Sequence, residues 1–406
     1  MTVQTPQPHT QPILPLSTLL LMATACGLCA GANYFNQPLL HSMAQSLQIS
    51  DALASSTVTM AQVSYGLGLL FLVPLGDMLE RRGLVLALML LAACGMLASG
   101  ISGLTGSFAL LAGGTLMAGV FSVAAQVLVP MAATFAAPGA SGRAVGLVMS
   151  GLLIGILASR SVAGILSDLG GWSTVYWVGA ACTALMAVLL SRALPRAAPT
   201  APVSYGAVMQ SLAVLIRQYP RLRSRALIGG LGFATVSVLF STMALLLAGP
   251  QFRLSDMEIG LIGIAGIAGA LMANVAGRMA DKGLEQHTTL AGAVLLLLGW
   301  LALWLGGTSL WWFLAGMLVV DGALQALHIS NQNVIYALAP EARSRINAVY
   351  MTTYFIGASI GSALGSWAWL GQGWTGTSIM GLVLGLATLA MVCRDRQLVH
   401  QKPSTR

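Results

Sequence analysis

Pro74-Leu75-Gly76-Asp77-Met78-Leu79-Glu80-Arg81-Arg82-Gly83 places two acids and two arginines between two long apolar runs. A second short charged turn, Gly277-Arg278-Met279-Ala280-Asp281-Lys282-Gly283, follows at half-length, and Asp281 lies 204 residues after Asp77. A charged turn that recurs at half-length is the mark of a duplicated chain. The apolar runs around each copy say what kind.

Of the 406 residues, 57% are hydrophobic and 7% charged. Soluble domains carry about 25% charged residues, so this composition needs a bilayer as its solvent. Apolar runs recur at about 20 residues, the length a helix needs to cross hydrocarbon. Met1 to Leu16 hold no Lys or Arg, which argues against a cleaved signal peptide and for a true first span. Twelve spans are predicted, roughly 16–38, 53–78, 84–103, 107–135, 143–167, 173–194, 225–248, 257–280, 288–306, 309–337, 344–370 and 375–393. The expected fold class is all-α integral membrane, as two parallel six-helix repeats. Its parts are a tail 1–15, a bundle 16–194, a linker 195–224, a second bundle 225–393 and a tail 394–406. The linker holds Pro195, Pro199, Pro202 and Pro220. Its part Ala207–Arg217 is apolar on one side, as in a helix lying on a membrane surface.

The net charge of +8 does not indicate nucleic acid, because its placement follows topology. Seventeen of the 19 Lys and Arg residues fall in alternate turns, the linker and the C-terminal tail. Basic residues mark the cytoplasmic side, so both termini are expected there. Only Arg253 falls on the other side, and only Arg160 within a span. The five cysteines lie in or at the ends of apolar spans; Cys26-Gly27-Leu28-Cys29 has no second pair and reads as packing, not as metal or redox chemistry.

An offset of 202 residues superimposes Pro138 on Pro340, Arg143 on Arg345, Gly155 on Gly357, Gly171 on Gly373 and Trp172 on Trp374. Six spans per half give both halves one orientation. Transporters are commonly built from such repeats, with the site near the midplane between them. The two tryptophans read as interfacial anchors.

With these features the chain resembles the major facilitator superfamily, in particular its twelve-helix bacterial efflux-type (drug/proton antiporter-like) branch. The resemblance rests on the turns around Asp77 and Asp281, the repeat, the linker, Asn33-Tyr34-Phe35-Asn36-Gln37-Pro38-Leu39-Leu40, Gly164 to Trp172 and Arg343 to Tyr350. Four positions depart from the family pattern. Val73 stands where the turn motif opens on glycine, and Glu80 where it often has a second one. Thr115 takes the place of an arginine, and Gly155-Ile156 stands in the fifth span where antiporters have Gly-Pro. The resemblance implies that Asp77 faces the N-terminus of the eleventh helix across the halves when the cavity opens outward. Asp77, Arg81, Arg82 and Asp281 are therefore the candidate gating residues.

Charges inside a bilayer need a reason. Asp321, in the tenth span, is the only carboxylate expected at depth. Gln325, His328 and Gln332 lie within about 40° of it around the helix axis, forming one polar stripe. Asp321 and His328 are the candidates for carrying a proton. Arg160 is expected about 12 Å below its helix end, where it pairs with Asp321 across the halves or binds an anionic group through its planar fork. The other candidate substrate contacts are Asn33, Tyr34, Asn36, Gln37, Gln325 and Gln126, the last being the repeat partner of His328. For each of these polar residues, bonding between helices is the alternative role.

The expected function is secondary active transport of a small solute by alternating access. Proton-coupled efflux across a bacterial inner membrane leads; uptake or facilitated diffusion of an anionic metabolite held by Arg160 is the alternative. Partners are the solute, protons and membrane lipids, and the chain is expected to be a monomer. No paired carboxylates, metal cluster or activated nucleophile suggests an enzyme, and no cofactor or metal is expected.

Overall fold

The computed structural model describes residues 14–137, 140–196, 204–263, 279, 282–339 and 342–400. Asp281, Gly277, Arg278, Pro138 and Pro340 lie outside the described residues, as does the side chain of Asp77. The described elements are helical, as expected where backbone polar groups must be satisfied within each segment.

In chain order the helices are α1 (Leu16–Gly31), α2 (Leu40–Leu47), α3 (Asp51–Phe71), α4 (Arg81–Thr105), α5 (Phe108–Phe121), α6 (Ala124–Thr134), α7 (Ser141–Gly170), α8 (Trp172–Ala193), α9 (Tyr205–Gln218), α10 (Pro220–Phe240), α11 (Met243–Ala248), α12 (Asp256–Ile262), α13 (Glu285–Leu305), α14 (Leu310–Tyr336) and α15 (Arg343–His400). Among the described residues nine helical segments are long and apolar enough to cross a membrane. The longest is two helices joined at Gln372 and Gly373, whose backbone is non-helical.

The quoted turn is held by its own charges. Val73–Asp77 forms a 3-10 turn, Arg81 Nε donates to the Gly76 carbonyl at 2.9 Å, and Glu80 caps α4 by accepting from Arg82 N at 2.9 Å and Gly83 N at 2.7 Å. A carboxylate at a helix N-terminus satisfies free N–H groups and is favoured by the dipole. Arg82 also donates to the Leu194 carbonyl at 3.3 Å, tying the turn to the end of α8.

The repeat is visible in the backbone. A Cβ on Gly155 would collide with the Gly27 backbone, where α7 crosses α1; a Cβ on Gly357 would collide with Gly230, where α15 crosses α10. Small residues are what let membrane helices approach this closely. Gly171 and Gly373 both have positive φ, 83° and 55°, so both turns use the region glycine occupies most easily.

Two expectations change. The tryptophans after these glycines are not lipid-facing anchors: Trp172 and Trp374 are buried, and Trp374 Nε1 donates to the Leu303 carbonyl at 2.8 Å. The linker helix exists, as α9, but α10 begins at Pro220 rather than at 225. That places Arg225 inside a helix, with 0% exposure, against Asp395, which is 1% exposed. A proline in the first helical turn loses nothing, because that N–H has no intrahelical partner anyway.

Residues 16–193 and 220–400 are hydrogen-bonded to each other at one end of the bundle, the end away from Arg81, Arg82, Arg143 and Arg345. Ser55 Oγ donates to Ser366 Oγ at 2.6 Å and Thr59 Oγ1 to Ser362 Oγ at 2.8 Å, joining α3 to α15. Ser161 Oγ donates to the Gly260 carbonyl at 2.9 Å, and Ser167 Oγ to Asp256 Oδ2 at 2.6 Å, joining α7 to α12. Asp168 Oδ1 accepts from Met257 N at 3.3 Å. These five hydrogen bonds between the halves all lie at the arginine-poor end.

Candidate functional site

The N-terminal half breaks α1 at Gly31 and resumes through a 3-10 turn at Gln37–Leu39. The C-terminal half ends α10 at Phe240 and resumes at Met243. Gln37 and Phe240 are 203 residues apart, so they sit at matching breaks of matching helices. Between them lies Arg160 of α7.

Arg160 is 6% exposed. Its Nε donates to Gln37 Oε1 at 2.7 Å, its guanidinium carbon lies 3.8 Å from the centre of the Phe240 ring, and the Tyr34 ring is 5.1 Å away. Cation–π contact and one hydrogen bond fix the plane of the fork. The Nη atoms have no hydrogen-bond partner among the described residues, and Gly263 leaves room for the arginine stem.

The nearest opposite charge acting on Arg160 is Asp321, on α14. The two belong to different halves, and no ion pair within 4.0 Å joins them. Asp321 is half-buried and has no hydrogen bond to another described side chain. The expected Arg160–Asp321 ion pair is not closed in this structure.

Further along α14, Gln325 and His328 are also half-buried. His328 Nδ1 shares a hydrogen bond with the Tyr350 hydroxyl at 3.0 Å, and its ring lies 4.9 Å from that of Tyr354. Gln126 of α6 donates to the Tyr65 hydroxyl at 3.4 Å. Asn33 and Asn36 point their amides elsewhere: Asn33 donates to the Cys29 carbonyl at 3.5 Å and Asn36 to Thr57 Oγ1 at 3.2 Å, both within the N-terminal half. Tyr34 and Gln37 join the Arg160 cluster; Asn33 and Asn36 bond to the surrounding helices.

The sequence reading missed the aromatic wall. Tyr354 stacks on Phe233 with centroids 4.1 Å apart, and Tyr65 meets Phe355 across the halves at 4.5 Å. Tyr354 also meets His328 of the polar stripe at 4.9 Å, so these rings line the C-terminal half beside α14. The signal available was Tyr350 and Tyr354 at i, i+4 on one helix face; nothing along the chain pairs Phe240 with Arg160.

A helical membrane protein with two like halves, broken helices at their junction and unpaired opposite charges between them belongs to the class of transporters. The Major Facilitator Superfamily model matches residues 22–362 and 226–405, and the chain belongs to that family. It is 48% identical over 371 residues to the uncharacterized transporter YgaY of Escherichia coli, covering 91% of this chain and 93% of that one. It is 31% identical over 385 residues to a probable transporter of Streptomyces coelicolor, covering 90% and 87%. The crystal structure of the nucleoside transporter NupG superimposes with a TM-score of 0.75 at 14% identity, over 95% of this chain and all of that one; this likeness shows the shared fold.

Proposed function

We propose that the protein exports a small solute across a bacterial inner membrane in exchange for protons, by alternating access of two six-helix halves. The observation that carries this reading is that Arg160 of one half and Asp321 of the other are each buried or half-buried and without an ion pair. Leaving a charge unpaired in a protein interior is strongly unfavourable, so each must be answered by something that comes and goes. A proton neutralises Asp321, and a solute group occupies the fork of Arg160.

The arginine-rich end corresponds to the cytoplasm under the positive-inside rule. The hydrogen bonds between the halves then close the periplasmic side, and the site is reached from the cytoplasm. Asp77, Arg81 and Arg82, with Asp281 in the second half, act in the opposite state by closing the inner face. A compound screen in an efflux-deficient host identifies the solute, with Asp321→Asn as control. Full gradient-driven transport by Asp321→Asn would remove Asp321 as the proton carrier.

A second reading is uptake of an anionic metabolite, favoured by the free Nη donors of Arg160. Arg160→Lys separates the two, because an ammonium cannot reproduce the fork. Loss of solute binding with proton coupling intact supports the anion reading.

A further inference from the structure

The geometry points to a zwitterion as the solute: a carboxylate received by the Arg160 fork, an ammonium received by Asp321, and a flat apolar body laid on the aromatic wall beside them. This rests on the transporter reading above and names the chemistry that site selects.

Three observations converge on it. The Arg160 fork is presented and not consumed: Nε is spent on Gln37, one face is spent on Phe240, and the Nη edge is left. Two parallel N–H donors in a plane match a carboxylate. Asp321 is likewise unbonded and half-buried, on the opposite half. An acceptor-only group of this kind is best satisfied by a cationic donor. Aromatic rings flank them: Tyr34 lies 5.1 Å from the guanidinium, and Tyr354, stacked on Phe233 at 4.1 Å, meets His328 about two turns from Asp321 on α14, with Tyr65 and Phe355 packed across the halves. Rings there offer area without further charge, and Tyr34 and Tyr354 each bring one hydroxyl.

A solute with only one charge leaves the other protein charge unanswered. While Asp321 is ionised, an anion alone leaves it without a counter-charge, and a cation alone leaves Arg160 in the same state. A zwitterion answers both at once and adds no net charge to the site. It also bridges the halves, because Arg160 belongs to the first and Asp321 to the second. A proton on Asp321 removes the ammonium's partner, so proton and solute compete for one carboxylate.

The test is equilibrium binding to the purified full-length protein in detergent, read as ligand-dependent thermal stabilisation. Three probes share one ring: phenylalanine, its amide, which is only cationic, and phenylpropionate, which is only anionic. The zwitterion is expected to bind at least about tenfold tighter than either, the scale of one charge-assisted hydrogen bond. Arg160→Gln should bring phenylalanine down to the level of its amide, and Asp321→Asn should bring it down to the level of phenylpropionate. A merely structural role for either residue would weaken all three probes alike. Arg160→Lys, which keeps the charge, serves if Arg160→Gln does not fold. Equal binding of the three, tightest binding by phenylpropionate, or binding by none overturns the assignment.

Failure of the transporter reading is separated by a ligand-free measurement. Spin labels at exposed Leu53 and Leu370, one on each half, report opening of the arginine-poor end. Distances that change with pH while no zwitterion binds overturn the solute class alone. Distances fixed under all conditions overturn alternating access itself.

Discussion

Arg225 Nη2 lies 2.7 Å from Asp395 Oδ2, and neither side chain is reached by solvent. The pair clamps the start of α10 to the far end of α15. Ser224 donates to the same carboxylate, while Arg225 Nη1 donates to Thr289 Oγ1 at 2.7 Å and to Asn331 Oδ1 at 3.2 Å. Half-buried Arg221 lies 3.9 Å from the same carboxylate, yet removing either member of the fully buried pair strips a charge of its main partner, which costs up to about 3–5 kcal/mol. Asp395→Asn and Arg225→Met are each expected to lower the thermal unfolding temperature sharply. The double variant Arg225→Met with Asp395→Leu should recover most of the loss, because replacing both charges removes the desolvation cost as well. Unfolding in detergent, followed by size-exclusion recovery, measures this; a double variant as weak as the singles would contradict it.

This clamp also shows where the sequence was readable and where it was not. Asp77 and Asp281, Gly155 and Gly357, and Gly171 and Gly373 announce the repeat because duplication preserves spacing. Arg160 and Asp321 stand out because a lone charge in an apolar run is rare. Arg225 and Asp395 do not, because each sits where an apolar run begins or ends, and a charge there looks like a loop residue. Only the extension of α10 back to Pro220 and of α15 on to His400 draws them inside. Trp172 and Trp374 were misread for a related reason: a tryptophan at a helix end is interfacial unless a neighbouring helix covers it, and covering is a tertiary fact. Phe240 lies far along the chain from Arg160, and only folding brings it under the guanidinium.

Gly155 permits the crossing of α7 over α1. Gly155→Ala places a methyl against the Gly27 backbone, which has no flexible atom to move aside. Overpacking of this kind costs about 1–3 kcal/mol. Gly357→Ala, against Gly230, should cost a similar amount in the other half. Gly113→Ala is the control, since a Cβ there meets nothing within 4 Å and alanine is the better helix former by up to about 1 kcal/mol. Yield of monodisperse protein and unfolding temperature should fall for the first two and hold or rise for the third.

Asp256 makes the arginine-poor clasp sensitive to pH. It is the first residue of α12 and accepts a hydrogen bond from Ser167 Oγ at 2.6 Å. Burial raises its pKa above the ordinary carboxylate value, Asp168 adds to the rise, and Ser167, Ser42 and His41 oppose it. A raised pKa means the closed clasp favours the protonated carboxyl. Its contribution is therefore fully present below the ordinary value near about 4 and is lost as pH rises through the elevated one. The population with this end closed should fall as pH rises across that window, read as the distance between labels at Leu53 and Leu370. Asp256→Asn should flatten the response; an unchanged pH profile in that variant would assign the titration to another group.

Ser55 and Ser366 offer a direct test of whether this end must open during turnover. Their hydroxyl oxygens are 2.6 Å apart across the halves, so cysteines at both positions fall within reach of a disulfide. Cys94 and Cys393 are exposed and Cys182 is partly so; replacing these three by alanine gives a clean background. Oxidation of Ser55→Cys with Ser366→Cys should join α3 to α15, hold the arginine-poor end shut and stop transport, and reductant should restore it. Each single variant should be insensitive to oxidant. The bond lies in the first turns of α3, away from Arg160 and Asp321, so solute binding from the arginine-rich end should survive the lock while release on the far side does not. Binding without transport, reversed by reductant, is the pattern that two-sided access requires. Full transport through a quantitatively cross-linked protein would mean that these helices do not separate in the working cycle.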